Sequence, residues 1–310
     1  MGKKRVYLGT RGSMLALWQA NHIKDRIEQN SPDVSVELVR IKTTGDKILD
    51  VPLAKVGGKA LFVKEIEEAL LDGKVDFAVH SMKDVPTVIP AGLEIAVATE
   101  REDPRDALVS PSGKKFHELP GGALIGTSSL RRQSQALHVR GDLKIEVLRG
   151  NLDTRLRKVS EGVFDAVILA AAGLKRMNWE DRITECIDPA VMIPAVGQGA
   201  LGIEVRVDDA ETKELISFLN HEETAAAVSG ERAFLEKLEG GCQVPIGAHG
   251  VVNGRLMRIT GFVASTDGMR MVRGEVTGEV SDSPALGRAL AEDLLSRGGG
   301  EILEEIYKEA

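Results

Sequence analysis

The sequence predicts an α/β protein with two lobes on mixed, mostly parallel sheets, followed by a small α+β domain with a three-stranded antiparallel sheet. Three observations carry this. Short apolar runs alternate with helical segments twice over, in residues 6–99 and again in 123–177. A charged stretch, residues 100–106, interrupts the alternation as an interdomain hinge would. In the last third, Asn253-Gly254 and Asp267-Gly268 join apolar runs as hairpin turns. The expected boundaries are 1–99 plus 200–217 for the first lobe, 105–193 for the second and 222–310 for the C-terminal domain.

Taken in order, Val6-Tyr7-Leu8 reads as a buried strand ending at Gly9. Ser13 then caps a helix in which Ala16, Ala20, Ile23 and Ile27 recur at helical spacing. Val34, Val36 and Leu38 alternate as a strand. Residues 43–58 have few periodic positions and read as a long mobile loop. Leu61 to Leu71 is helical, with Phe62, Ile66, Ala69 and Leu70 on one face and Gly73 as the stop. Strands follow at 75–79 and 93–97. The second set comprises strands at 123–126, 145–148 and 166–169, with helices starting at Ser128, Asp153 and Ala171. Leu201–Val205 reads as a strand returning to the first lobe. A helix at 222–238, strands at 244–252, 256–264 and 269–276, and helices at 284–295 and 301–308 complete the chain.

The chain has 310 residues and a formal net charge of −7, which opposes a general nucleic-acid binder. No run approaches the roughly 20 apolar residues that span a membrane, and the basic start is not followed by a signal-peptide core. A cytoplasmic protein is expected, and a monomer, since no segment reads as an extra interface. Cys186 and Cys242 are the two cysteines, and both are expected as free thiols. None of the six histidines stands at metal-ligand spacing, so no metal site is expected.

Ligands of open α/β sheets bind at the carboxyl ends of strands. Ser81, Lys83 and Asp84 lie after one such strand; Thr127, Ser128 and Ser129 lie after another and open a helix. Arg131 and Arg132 stand in that helix's first turn, where cations oppose the helix dipole. Arg149 to Arg155 repeats the arrangement, and Arg157 and Arg176 follow. These arginines are either solvated surface groups or, because the fork of arginine suits carboxylates, the binding groups of a polyanion. Asp84 is either a turn residue paired with Lys83 or a carboxylate for acid–base work and cation stabilisation. Cys242, after Gly240-Gly241, is either a small buried hydrophobe or a thiol presented for attachment. Cys186 reads as buried. Gly197-Gln198-Gly199-Ala200-Leu201-Gly202 matches a dinucleotide fingerprint by spacing but opens a strand, and Gly57-Gly58-Lys59 lacks the rest of a phosphate loop; both are rejected.

Six segments in this order resemble signatures of the porphobilinogen deaminase family. They are Leu8-Gly-Thr-Arg11-Gly-Ser13, His80-Ser-Met-Lys83-Asp84-Val-Pro-Thr, Gly126-Thr-Ser-Ser-Leu-Arg131-Arg132, Leu148-Arg149-Gly-Asn-Leu-Asp-Thr-Arg155, Pro194-Ala-Val-Gly-Gln-Gly-Ala and Gly240-Gly-Cys242-Gln-Val-Pro-Ile-Gly. Together they cover nearly the whole chain. The resemblance implies two lobes like those of periplasmic binding proteins and a third domain carrying a dipyrromethane cofactor on a thioether to Cys242. It implies sequential addition of four porphobilinogens, each losing ammonia, and release of hydroxymethylbilane. By resemblance Asp84 assists deamination and stabilises the resulting cation. Arg11, Ser13, Gln19, Arg149, Arg155 and Arg176 hold substrate and growing chain. Ser81, Lys83, Asp84, Thr127, Ser129, Arg131 and Arg132 hold the cofactor. Lys55, Lys59 and Phe62 belong to a lid.

The departures are small. Met14 stands where many relatives have proline, and Met177-Asn178 replaces a commoner Leu-Gly. Two rivals remain at this point: a two-lobed polycarboxylate-binding protein without catalysis, and a nucleic-acid module using the arginines from Arg131 to Arg157.

Overall fold

The computed structural model describes residues 4–47, 63–239 and 244–309. β1 (Lys4–Thr10), α1 (Met14–Asn30) and β2 (Val34–Arg40) open the chain. The hydroxyl of Ser13 accepts the Ala16 N–H at 3.3 Å, which starts α1, and Ala20, Ile23 and Ile27 bury its apolar stripe. One helical turn, α2 (Thr44–Lys47), stands where the sequence reads as loop. α3 (Lys64–Leu71) buries Ile66, Glu67, Ala69 and Leu70, and Gly73 follows it at φ 68°. Leu61 and Phe62, expected in its first turn, lie outside the described residues.

β3 (Phe77–Ser81) and β4 (Leu93–Ala98) follow. β5 (Asp106–Val109) corrects the hinge reading: Asp106 is not the last hinge residue but the buried first residue of a strand. Next come β6 (Leu124–Gly126), α4 (Leu130–Val139), β7 (Lys144–Glu146), α5 (Leu152–Ser160), β8 (Ala166–Ala170), α6 (Ala171–Arg176) and the two-residue β9 (Glu185–Cys186). β10 (Leu201–Arg206) and α7 (Ala210–Ile216) precede the long α8 (Glu222–Lys237). β11 (Ile246–Asn253), β12 (Leu256–Ala264), β13 (Met271–Glu279), α9 (Ser283–Leu294) and α10 (Gly300–Glu309) end the chain.

The first sheet has the order β2-β1-β3-β10-β4 and the second β7-β6-β8-β5-β9. In each, three parallel strands are followed by one antiparallel strand, β10 or β5, and a fifth that runs with the first three. β10 returns to the first sheet after the whole second sheet has been built. The third sheet, β11-β12-β13, is antiparallel throughout. Asn253 pairs with Leu256, so Gly254 and Arg255 are the central residues of that hairpin, and Gly254 alone of the two has positive φ.

The chain divides into two compact units. Among the described residues, one comprises 4–47, 63–101 and 200–225; the other comprises 102–199, 226–239 and 244–309 and thus joins the second lobe to the C-terminal domain. The core of the first lies between α1 and its sheet, where Val6, Leu8, Ile23, Phe77, Val79 and Ile203 meet. A second layer under α3 holds Ile66, Leu70, Val75, Ala78 and Leu93. In the other unit, Leu108, Phe116, Ile125 and Ile168 pack on one side of the sheet, and Leu148, Phe164, Val167 and Leu174 on the other. Phe234, Ile259, Val263 and Leu290 fill the space between the third sheet and its helices. Among the described residues no helix is long and apolar enough to cross a membrane, and no cluster of His, Cys, Asp or Glu could hold a metal ion.

Candidate functional site

In the first unit, two strand ends shape one hollow. β1 runs into Arg11 and Ser13, both half-buried, and β3 ends at Ser81. Gln19, buried on α1, donates to the Ser81 hydroxyl at 2.8 Å and ties the two ends together. Met82–Asp84 then forms a single 3₁₀ turn. The Met82 N–H donates to the Ala200 carbonyl at 3.0 Å, and the Val85 N–H closes the turn on Met82 at 3.1 Å. Pro86 keeps Val85 extended and stops the turn there. Asp84 is thereby left exposed on a short, well-anchored turn beside Arg11, Ser13, Gln19 and Ser81. A carboxylate so placed can accept N–H groups and stabilise a developing cation.

The other unit places its charges differently. β6 ends at Gly126, where a Cβ would lie 2.9 Å from Leu148 Cδ2 and 3.0 Å from the Phe164 ring. Thr127 is buried and accepts the Ser129 N–H at 3.2 Å; Ser129 caps α4 through the Arg132 N–H. The side chains of Arg131 and Arg132 turn inward. Arg131 donates to both carboxylate oxygens of Asp106, at 2.7 and 3.1 Å, and to the Ile193 carbonyl at 2.6 Å. Arg132 donates to Asp106 at 2.9 Å and to the Ile168 carbonyl at 2.9 Å. Gln198 adds a further bond to Asp106 at 3.1 Å.

Burial would raise the Asp106 carboxyl, but the two guanidiniums outweigh it and hold the group well below the usual carboxylate range. Burial likewise lowers the Arg132 guanidinium, and Asp106 opposes that shift. Two guanidiniums share one carboxylate, so this cluster carries a residual positive charge.

Arg149 is half-buried. Arg155 folds back from α5 so that its Nε donates to the Gly150 carbonyl at 2.8 Å, and Gly150 has φ 113°. Arg176, at the end of α6, is buried and donates to the Gly199 carbonyl at 2.6 Å. Its burial pushes the guanidinium down to about 10, with Glu102 opposing.

Comparison with known proteins gives this geometry its family. The profile described as "Porphobilinogen deaminase, dipyromethane cofactor binding domain" matches residues 6–214, and "Porphobilinogen deaminase, C-terminal domain" matches 225–296. The chain is 58% identical over 308 residues to a porphobilinogen deaminase of Geobacter sulfurreducens, covering 99% of this chain and 96% of that one. A relative of the same name from Trichlorobacter lovleyi is also 58% identical, covering 99% and 98%. The chain belongs to the porphobilinogen deaminase family.

Among solved structures, the substrate-binding domain of a putative molybdenum ABC transporter from Clostridium difficile aligns with a TM-score of 0.45 and 10% identity, covering 71% of this chain and 93% of that one. Of the residues assigned by resemblance to this family, Arg11, Ser13, Gln19, Ser81 and Asp84 line one hollow. Lys83, half-buried, sits on the same turn. Thr127, Ser129, Arg131 and Arg132 gather at the start of α4. Arg149 and Arg155 flank the start of α5, and Arg176 ends α6. Lys55, Lys59, Phe62 and Cys242 lie outside the described residues.

Two residues of this geometry went unread in the sequence. Asp106 continues the charged run before it and is hidden by that run, although Ala107-Leu108-Val109 directly after it is a strand signal. Gln198 sits in the rejected glycine motif; it holds the Pro104 carbonyl at 2.7 Å as well as Asp106.

Proposed function

We propose that this chain is a transferase that deaminates porphobilinogen and joins four molecules of it in sequence on a dipyrromethane primer held by Cys242, releasing hydroxymethylbilane. It acts as a cytoplasmic monomer on this small-molecule substrate. The division into two lobes and a cofactor-carrying domain, at the boundaries expected above, belongs to the same proposal. The observation that carries it is the exposed carboxylate of Asp84 on its anchored turn, in a chain whose relatives of this name match it end to end.

The residues fit a cofactor of this kind. A dipyrromethane carries several carboxylates, and the start of α4 offers a helix N-terminus, two hydroxyl side chains and a guanidinium pair of residual positive charge. When bound, the group supplies the nucleophilic pyrrole carbon to which the first substrate is joined.

The chain's own residues do the rest. Asp84 accepts pyrrole N–H groups and stabilises the cation left as ammonia departs. Ser81 and Lys83 serve the cofactor on the same unit. Arg11, Ser13 and Gln19 on one unit, and Arg149, Arg155 and Arg176 on the other, bind acetate and propionate groups, whose number grows with each addition. Lys55, Lys59 and Phe62 form the lid in this reading.

The test is turnover. Purified protein given porphobilinogen is expected to release one ammonia per molecule consumed and to accumulate a linear tetrapyrrole. Saturable binding without ammonia would favour a polycarboxylate-binding protein instead.

A further inference from the structure

On the α3 side of β3, and reaching the hollow beside Asp84 through His80, lies a group of titratable residues that the proposed chemistry does not use. Alternation along β3 turns Phe77 and Val79 toward α1 and Ala78 toward α3, so His80 shares the α3 side. Its Nε2 lies 2.9 Å from Glu204 Oε2 on β10, and the two side chains are 4% and 2% exposed. The register explains the meeting: Gly202 pairs with His80 and Glu204 with Ala78, which sets imidazole and carboxylate diagonally on one face. Gly202 puts no side chain between them, and a Cβ there would lie 2.9 Å from Met82 Cε.

Glu67 adds a second buried carboxyl from α3. Burial first, and Glu204 next, push Glu67 up to about 7, while His80 pulls the other way. The second carboxylate oxygen of Glu204 is buried and accepts no hydrogen bond among the described residues.

A buried polar pair seldom stabilises a fold more than apolar side chains of the same shape would. Stability alone therefore does not account for an imidazole and two carboxyls in this layer. Position does. His80, Ser81 and Met82 are consecutive, and each is tied down: His80 to Glu204 on β10, Ser81 to Gln19 on α1, and the Met82 N–H to the carbonyl of Ala200, directly before β10. Asp84 is exposed, so its place is set by the backbone of this turn and not by packing of its own side chain.

We propose that His80 and Glu204 are positioning residues for Asp84: their buried hydrogen bond, beside Glu67, fixes the end of β3 from which the Ser81–Asp84 turn departs. The assignment rests on the reaction proposed above. A displacement near 1 Å at a reacting group can lower turnover on the order of 100-fold, whereas binding groups elsewhere are spared.

The experiment uses the full chain, with pyrrole content weighed by intact mass and steady-state kinetics on porphobilinogen. The double variant His80→Phe, Glu204→Met replaces the pair by apolar side chains of similar size. It is expected to keep its melting temperature and, per molecule that carries pyrrole mass, to keep KM within about threefold and to lose kcat by about tenfold or more. Glu204→Gln retains a hydrogen-bonding partner for the imidazole in either tautomer and is expected to stay within about threefold of the wild-type kcat, while Glu204→Leu falls with the double variant.

A folded, loaded double variant with wild-type kcat overturns the proposal. If the double variant does not fold, Glu204→Gln and Glu204→Leu compared per loaded molecule decide it, and equal kcat values overturn it. Wild-type protein that gains no pyrrole mass and releases no ammonia overturns the proposed reaction, and this assignment with it.

Discussion

The two lobes share a pattern of strand directions, three parallel strands, one antiparallel and a fifth parallel, and each ends a parallel strand in a turn that carries charge. They handle that charge in opposite ways. At the end of β3 the charged group itself, Asp84, is exposed, and the buried pair His80–Glu204 lies one residue behind the strand end. At the end of β6 the charged groups, Arg131 and Arg132, are themselves buried and hydrogen-bonded to Asp106. An exposed carboxylate on a fixed turn is available to a substrate cation. A guanidinium pair sharing one carboxylate is first part of the interior, and only the charge left over is available to an anion.

The contrast can be broken most easily at Asp106. Asp106→Ala leaves two buried guanidiniums without their counter-charge and is expected to destabilise the protein by about 3–5 kcal/mol in urea unfolding. A loss near zero would mean that the arginines do not depend on it. Asp84→Asn should do the reverse: kcat falls by about 100-fold or more while stability stays within about 0.5 kcal/mol. A folded variant with normal turnover would remove Asp84 from the chemistry.

The smallest effect belongs to Glu67, whose carboxyl is raised from 4.5 to about 7 in the folded protein. The unfolded chain ionises first, so this group takes stability away as pH climbs from 4.5 to about 7 and takes no more above that. Glu67→Gln is expected to gain on the wild type between pH 5 and pH 8 by at most about 3 kcal/mol. Thermal melts of both proteins at the two pH values check this; a constant difference would mean that Glu67 does not titrate in that window.

Much of this was legible in the residues. The Ser13 cap, the Ile23–Ile27 stripe, the β3 strand running into Ser81–Asp84 and the strand β10 all follow from local patterns, as does a hairpin near Asn253-Gly254, although its central pair is Gly254-Arg255, one residue on. β5 and β9 did not show, because four and two residues give alternation too little length and Asp106 is the wrong type for a buried strand position. Its burial depends on Arg131, Arg132 and Gln198, which lie 25, 26 and 92 residues away in sequence. The cations in the first turn of α4 read as ligand groups or as surface, because no local signal shows a carboxylate arriving from another strand. His80–Glu204 is hidden in the same way: it depends on the register of β3 against β10, 124 residues apart. Long-range pairing of polar groups leaves no periodic trace, whereas apolar faces do.

The most direct measurement is the intact mass of the purified protein beside Cys242→Ser. The account predicts that the wild type carries two linked pyrrole units in excess of its sequence mass and that the variant carries none. Wild-type protein at its bare sequence mass, unchanged after incubation with porphobilinogen, would contradict it.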